Sequence, residues 1–204
     1  MKKIFLLLLM SCLALTRSFA QNPVILNDYV FKAGDVLEYE LNKQGKTYRL
    51  IITLTGKTFI DSKIIDAITF TWERKGDTVA KGTIMITKEA RVNASVYLEN
   101  LSNGSLILKN KSCLWLSLKG FQSLLSPDGY KMDFGDGNKT LYKIKTSTGD
   151  NYTFSFKGKP GYMSAFEVKA TFSGNHFSFC PTTNSNALIL SVDMGWTMKL
   201  KEIR

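Results

Sequence analysis

Apolar residues recur at every second position through most of the chain, the period of a half-buried strand. In "VLEYEL", residues 36–41, Leu37, Tyr39 and Leu41 fall on one face, with Glu38 and Glu40 on the other. The polar run Asn42 to Lys46 leads into "TYRLIITL", where Tyr48, Leu50, Ile52 and Leu54 alternate, so the two runs predict a hairpin. Ile64, Ile68, Phe70 and Trp72 carry the pattern through "IIDAITFTWER", and Lys75-Gly76-Asp77 turns it into "TVAKGTIMIT". "EARVNASVYL" has a helical composition, but Ala90, Val92, Ala94, Val96 and Leu98 alternate, which predicts another strand.

One segment breaks the rhythm. In "SLKGFQSLLSP" Leu118, Phe121 and Leu125 stand at i, i+3 and i+7, with Ser117 placed to cap the start and Pro127 to stop the end. This predicts one short helix near 117–126, weakened by Gly120 in its first turn and covering one end of the β-structure. The alternation then resumes in "YKMDF", "TLYKIK", "NYTFSFKG", "SAFEVKATF", "HFSFC", "ALILSVDM" and "WTMKLKEI". The last two runs are strongly apolar and are expected to close a sheet by pairing with an early strand. The expected fold is all-β, a β-barrel or β-sandwich of about a dozen short antiparallel strands plus that helix.

The start of the chain sets the expected compartment. Lys2 and Lys3 precede the apolar run Ile4 to Met10, and Ser18-Phe19-Ala20 ends with small residues where signal peptidase cuts. Residues 1–20 therefore read as a secretory signal peptide, and 21–204 as a single all-β domain. Leu9-Met10-Ser11-Cys12 loosely matches a lipoprotein cleavage site, which would place lipid on Cys12. Met10 fits that pattern poorly and Leu13-Ala14-Leu15 continues the apolar run, so the signal peptide is the preferred reading. The apolar stretch is too short for a membrane span. Export is expected, to the periplasm, the outer-membrane surface or beyond.

Composition narrows the partners. The chain has 27 basic and 17 acidic residues; without Lys2, Lys3 and Arg17 the balance is 24 against 17, or +7. Lysines dominate and stand singly, unlike the concentrated patches that grip nucleic acid, so no nucleic-acid partner is expected. Solvated strand faces and lysine-guarded edges account for them. A protein, glycan or lipid partner is left open.

Candidate chemistry is sparse. Cys113 and Cys180 form either a disulfide or two separately buried thiols, and their spacing matches no zinc pattern. The only histidine, His176, lies in "SGNHF" and reads as a surface turn residue. Glu38 and Glu40 share a strand face nearly 7 Å apart at ~3.3 Å per residue, a spacing that glycosidase carboxylates also show, but an ordinary solvent face explains them. Asp133-Phe134-Gly135 resembles a kinase magnesium motif only in letters: the chain has no H-R-D loop, and Gly135-Asp136-Gly137-Asn138 reads as a hairpin turn. The 13 Phe, 8 Tyr and 3 Trp residues read chiefly as core filling. No catalytic, cofactor-binding or metal-binding set emerges, so neither an enzyme nor a bound cofactor is expected.

"CLWLSLKGFQSLL" and "ALILSVDMGWTMKLKEI", together with the leader end "SFAQ", resemble a group of uncharacterised exported β-rich proteins of Bacteroidota. The resemblance implies a bacterial cell-envelope β domain and carries no activity or functional residue. Three readings follow: a non-catalytic exported domain for binding or envelope interaction, a lipocalin-like carrier of an apolar small molecule, and a carbohydrate-active enzyme using Glu38 and Glu40. The first is preferred.

Overall fold

Alternation of residue type becomes alternation of burial. The computed structural model describes residues 22–56, 67–97, 101, 103–135, 137–145, 149–182 and 186–204; the leader with Cys12, Ile64, Leu98 and Asp136 lie outside them. β2 (Val36–Lys43) and β3 (Lys46–Leu54), which follow the short β1 (Val24–Ile25), pair antiparallel. Gln44 and Gly45 join them with φ of 53° and 74°, the turn that matches strand twist, so the loop is shorter than the polar run suggests. β4 (Ala67–Lys75) and β5 (Ala80–Thr87) extend the sheet. Leu37, Tyr39, Leu50, Ile52, Ile68, Phe70, Trp72, Ile84 and Ile86 are all buried along it. Each such side chain contributes roughly 1.5–3 kcal/mol.

The strand expected at 89–98 is corrected. Thr87 ends β5 and caps a helix, α1 (Lys88–Asn93), its Oγ1 accepting from the Ala90 amide at 3.3 Å. Glu89 in the first turn and Arg91 in the last suit the helix dipole, and these end signals outweigh the period over six residues. Only β6 (Val96–Tyr97) remains as strand. The crossover through α1 lets β7 (Gly104–Leu108) run parallel to β5. β8 (Lys111–Ser112) pairs parallel with β6, and β9 (Trp115–Leu116) pairs with a later strand.

The helix expected near 117–126 is present as α2 (Leu118–Leu124), with Ser117 Oγ accepting from the Gly120 amide at 3.0 Å. Gly120 allows a close approach: a Cβ there would lie 2.7 Å from Tyr97 Oη and 3.1 Å from Ser117 Oγ. β10 (Tyr130–Met132) and β11 (Thr140–Ile144) form the next hairpin. Asp133 Oδ1 between them accepts from the Gly135 and Gly137 amides at 2.7 and 3.1 Å, so the D-F-G aspartate organises a turn.

The C-terminal strands are β12 (Asp150–Phe156), β13 (Lys159–Ala170), β14 (His176–Pro181), β15 (Ala187–Asp193) and β16 (Thr197–Ile203). Each pairs antiparallel with the next, and β12 also pairs parallel with β16 through Ser155–Glu202 and Phe156–Ile203. The hydrogen-bonded path therefore returns to its start, giving a closed five-strand ring. β16 pairs antiparallel with β2 on its other side, as expected of terminal strands closing onto an early one. The result is an all-β, barrel-like sheet of fourteen strands with a two-stranded ladder beside it. Among the described residues sixteen strands replace the expected dozen, and four pairings are parallel rather than antiparallel.

One seam holds the ring together. β15 and β16 pair only from Ser191–Lys199 to Asp193–Thr197 and then diverge. At the next rung, Tyr152 Oη lies 3.2 Å from Leu190 O and 3.1 Å from Leu200 O, its proton shared between one carbonyl from each of the parting strands. Burial pushes this hydroxyl up to about 12, partly offset by the Leu200 bond, so it stays a donor. Across the core, Tyr39 Oη donates to Ile189 O at 2.9 Å and ties β2 to β15.

Gly120→Ala is expected to destabilise the protein by about 1–3 kcal/mol, through overpacking against the buried, hydrogen-bonded Tyr97 hydroxyl. In a free helix the same change would stabilise by up to ~1 kcal/mol. Urea denaturation of the two proteins measures the sign.

Candidate functional site

Large hollows open on the described surface, and two of them are open clefts rather than enclosed apolar cavities. The first, of about 500 Å³, lies at the mouth of the five-strand ring. Strand register builds it. Glu167 on β13 faces Ser178 on β14, Ser178 faces Ser191 on β15, and Ser191 faces Lys199 on β16. This row spans three strand spacings, ~14 Å at ~4.8 Å each. The Ser178 and Ser191 hydroxyls meet at 2.6 Å in its middle. A second row runs Lys169, His176, Asp193, Thr197. β12 curls over as the opposite wall, adding Asp150, Asn151, Tyr152 and Thr153, and Ala165 lies at the bottom.

His176 is thus corrected from a turn residue to the first residue of β14. Its Nδ1 lies 3.1 Å from Gly174 O, which places a proton on that nitrogen, and Nε2 stands 4.0 Å from Asp193 Oδ2, beyond hydrogen-bond reach. Glu167 is drawn upward by burial, but Lys145 at 3.1 Å, Lys169 at 3.8 Å and His176 outweigh that and hold its carboxyl below the usual range. The cleft holds donors and acceptors in mixed order, with no hydroxyl–imidazole pair poised for nucleophilic attack among the described residues.

The second hollow, of about 550 Å³, is a dish on the outer face of β3, β4, β5 and β7. Thr53, Thr71, Thr83 and Ser105 form one cross-strand row through it. A third, between Leu41, Leu50, Trp72, Trp196 and Met198, measures only about 30 Å³. Trp72 and Trp115 are buried as expected of core residues.

Glu38 and Glu40 line neither large hollow. Arg49 grips Glu38 with two bonds, Nε to Oε1 at 2.7 Å and Nη2 to Oε2 at 2.8 Å, and Arg204 adds a third at 3.0 Å. The Arg49 hydrogen bond leads the forces that hold the Glu38 carboxyl below its ordinary value. A carboxyl so held is a poor general acid. Lys201 lies 3.9 Å from Glu40.

Cys113 and Cys180 are free, buried thiols, so of the two alternatives the separate-thiol one applies. Cys180 and Trp115 both face Leu188, one from each side, which sets β9 and β14 ~10 Å apart with β15 between them. Disulfide geometry needs Cα atoms within about 7 Å. Burial pushes the two thiols up to about 12 and about 11 respectively. Among the described residues no three His, Cys, Asp or Glu gather around a common point for a metal ion, and no helix is long and apolar enough to cross a membrane.

No protein-family model, curated protein or solved structure matches the chain. What the fold and its hollows define is a class: an all-β, barrel-like domain with a packed interior and an open polar cleft.

Glu38→Gln is expected to lower stability at neutral pH by about 1 kcal/mol or less, since both arginines that hold the carboxylate are exposed to solvent. The folded-state pKa of Glu38 lies below its unfolded value, so this contribution is present above about pH 4.5 and fades as pH falls through the folded value. Urea melts at about pH 7 and about pH 3 should show wild type and variant converging. A gap of constant size would contradict it.

Proposed function

We propose that this chain is an exported, non-catalytic binding domain, and that its binding site is the cleft at the mouth of the five-strand ring. The observation that carries the reading is the contrast between interior and mouth. Tyr39, Phe70, Trp72, Trp115, Phe177 and Phe179 fill the interior, while the cleft presents about 500 Å³ of mixed polar wall. That volume falls within the usual range for small-ligand sites, ~300–1,000 Å³, and the 30 Å³ apolar hollow falls far below it. This favours a polar ligand held at the mouth over an apolar one carried inside.

Geometry also favours binding over turnover. Ser178 and Ser191 bond each other rather than a base, the His176 Nε2 has no partner within hydrogen-bond distance among the described residues, and Glu38 is fully engaged by arginines. Export rests on the leader-like pattern of residues 1–20 and on the resemblance to exported envelope proteins.

His176 is the only histidine in the chain, so its ring protons report on the cleft without ambiguity. Proton NMR of the purified domain, titrated with a panel of amino acids, dipeptides, organic acids, sugars and polyols, is expected to show at least one saturable shift of that signal. Silence across the panel would count against the cleft as a site. A substrate turnover abolished by His176→Ala would overturn the non-catalytic reading.

A further inference from the structure

The cleft's charges are compensated by their own neighbours. Glu167 is held by Lys145 and Lys169, and Lys201 is near Glu40. Lys199 stands directly across from Glu40 in the β16–β2 pair, and Lys145, whose pKa the Glu167 hydrogen bond chiefly raises, also feels the field of Asp150. An ionic ligand would therefore have to compete with existing partners for each charge, and would gain little at an exposed site. Hydroxyl and amide groups without a charge to satisfy do not impose that competition. Ser178 and Ser191 form a central hydroxyl pair, and residues 150–153 of β12 line the wall opposite them, with Tyr152 on the face that looks across to β15 and β16.

Tyr152 adds the second element. Its hydroxyl is committed to the Leu190 and Leu200 carbonyls, so what it offers the cleft is ring carbon, fixed in place by the seam. A rigid aromatic face beside a neutral hydroxyl pair suits a ligand with apolar C–H faces and hydroxyl edges. The dish on β3, β4, β5 and β7 has the hydroxyl row but lacks this wall, because Trp72 there is buried at 2% exposure. The ~14 Å row is longer than a single sugar ring, and the cleft is open at the surface.

Resting on the binding reading above, we infer that the cleft takes a short stretch of neutral oligosaccharide, one sugar face against Tyr152 and its hydroxyls on the Ser178–Ser191 pair.

The test is an NMR titration following the His176 ring signal, with cellotriose, maltotriose, xylotriose and triacetylchitotriose as neutral probes. Inorganic phosphate and trigalacturonate serve as charged ones. At least one neutral trisaccharide should shift the signal saturably, with affinity changing less than about twofold between ~50 mM and ~0.5 M sodium chloride. Ser178→Ala should weaken it roughly five- to tenfold, the loss of one or two hydrogen bonds. Ser191→Ala, the other half of the hydroxyl pair, keeps the test valid should the first variant fold poorly, and should weaken binding in the same direction. A response only to phosphate or trigalacturonate, collapsing in salt, would overturn the neutral-sugar assignment and leave the cleft as a binding site. Silence to the sugars alongside a response to another polar class would do the same. Silence to every probe, charged and neutral, would remove both readings.

Discussion

The divergence of β15 from β16 is the constraint on which the rest of the architecture depends. Two neighbouring strands that part company leave backbone carbonyls without partners, and a buried unpaired carbonyl costs on the order of 1–3 kcal/mol. Tyr152 removes that cost by placing one hydroxyl where the next rung would have formed. Past this point β16 takes β12 as its neighbour and β15 takes β9. The split lets one hairpin belong to two surfaces: the ring to one side, and the β2–β5 sheet with its packed core to the other.

That geometry explains why the molecule has a full interior and an open mouth at once. The faces of β14, β15 and β16 carrying Phe177, Phe179, Leu188, Leu190, Val192, Met198 and Leu200 are buried. The opposite faces carry Glu167, Ser178, Ser191 and Lys199 in one row, and β12 walls them in only because it is drawn across to β16. Without the parallel β12–β16 contact those residues would lie on an ordinary solvent-facing sheet. The cleft is a consequence of closure rather than of any unusual residue.

This is also why the sequence displayed the fold more fully than the site. Leu37, Tyr39, Leu50, Ile52, Ile68, Phe70 and Trp72 declare their strands by period alone, and Ser117 with Pro127 brackets α2. Closure of β16 onto β2 was legible from the apolar character of the terminal runs. α1 was not, because over six residues Thr87 capping and the placement of Glu89 and Arg91 outweigh a coincidental alternation. Glu167, Ser178, Ser191 and Lys199 each look like routine outward-facing positions, and their meeting depends on register between strands far apart in the chain. One signal was present: His176 and Ser178 in "HFSFC" mirror Asp193 and Ser191 in "LSVDM", a symmetric polar pairing across one hairpin. Tyr152 gave no sign beyond its aromatic character, since its task is defined by two carbonyls contributed by other strands.

Tyr152→Phe tests the seam most directly, because it keeps the ring and deletes only the hydroxyl. Chemical denaturation combined with native-state amide hydrogen exchange is the measurement. A loss of about 1–3 kcal/mol is expected, with protection falling first in β12 and in the diverging halves of β15 and β16. A variant as stable as wild type, with unchanged exchange in those strands, would contradict it.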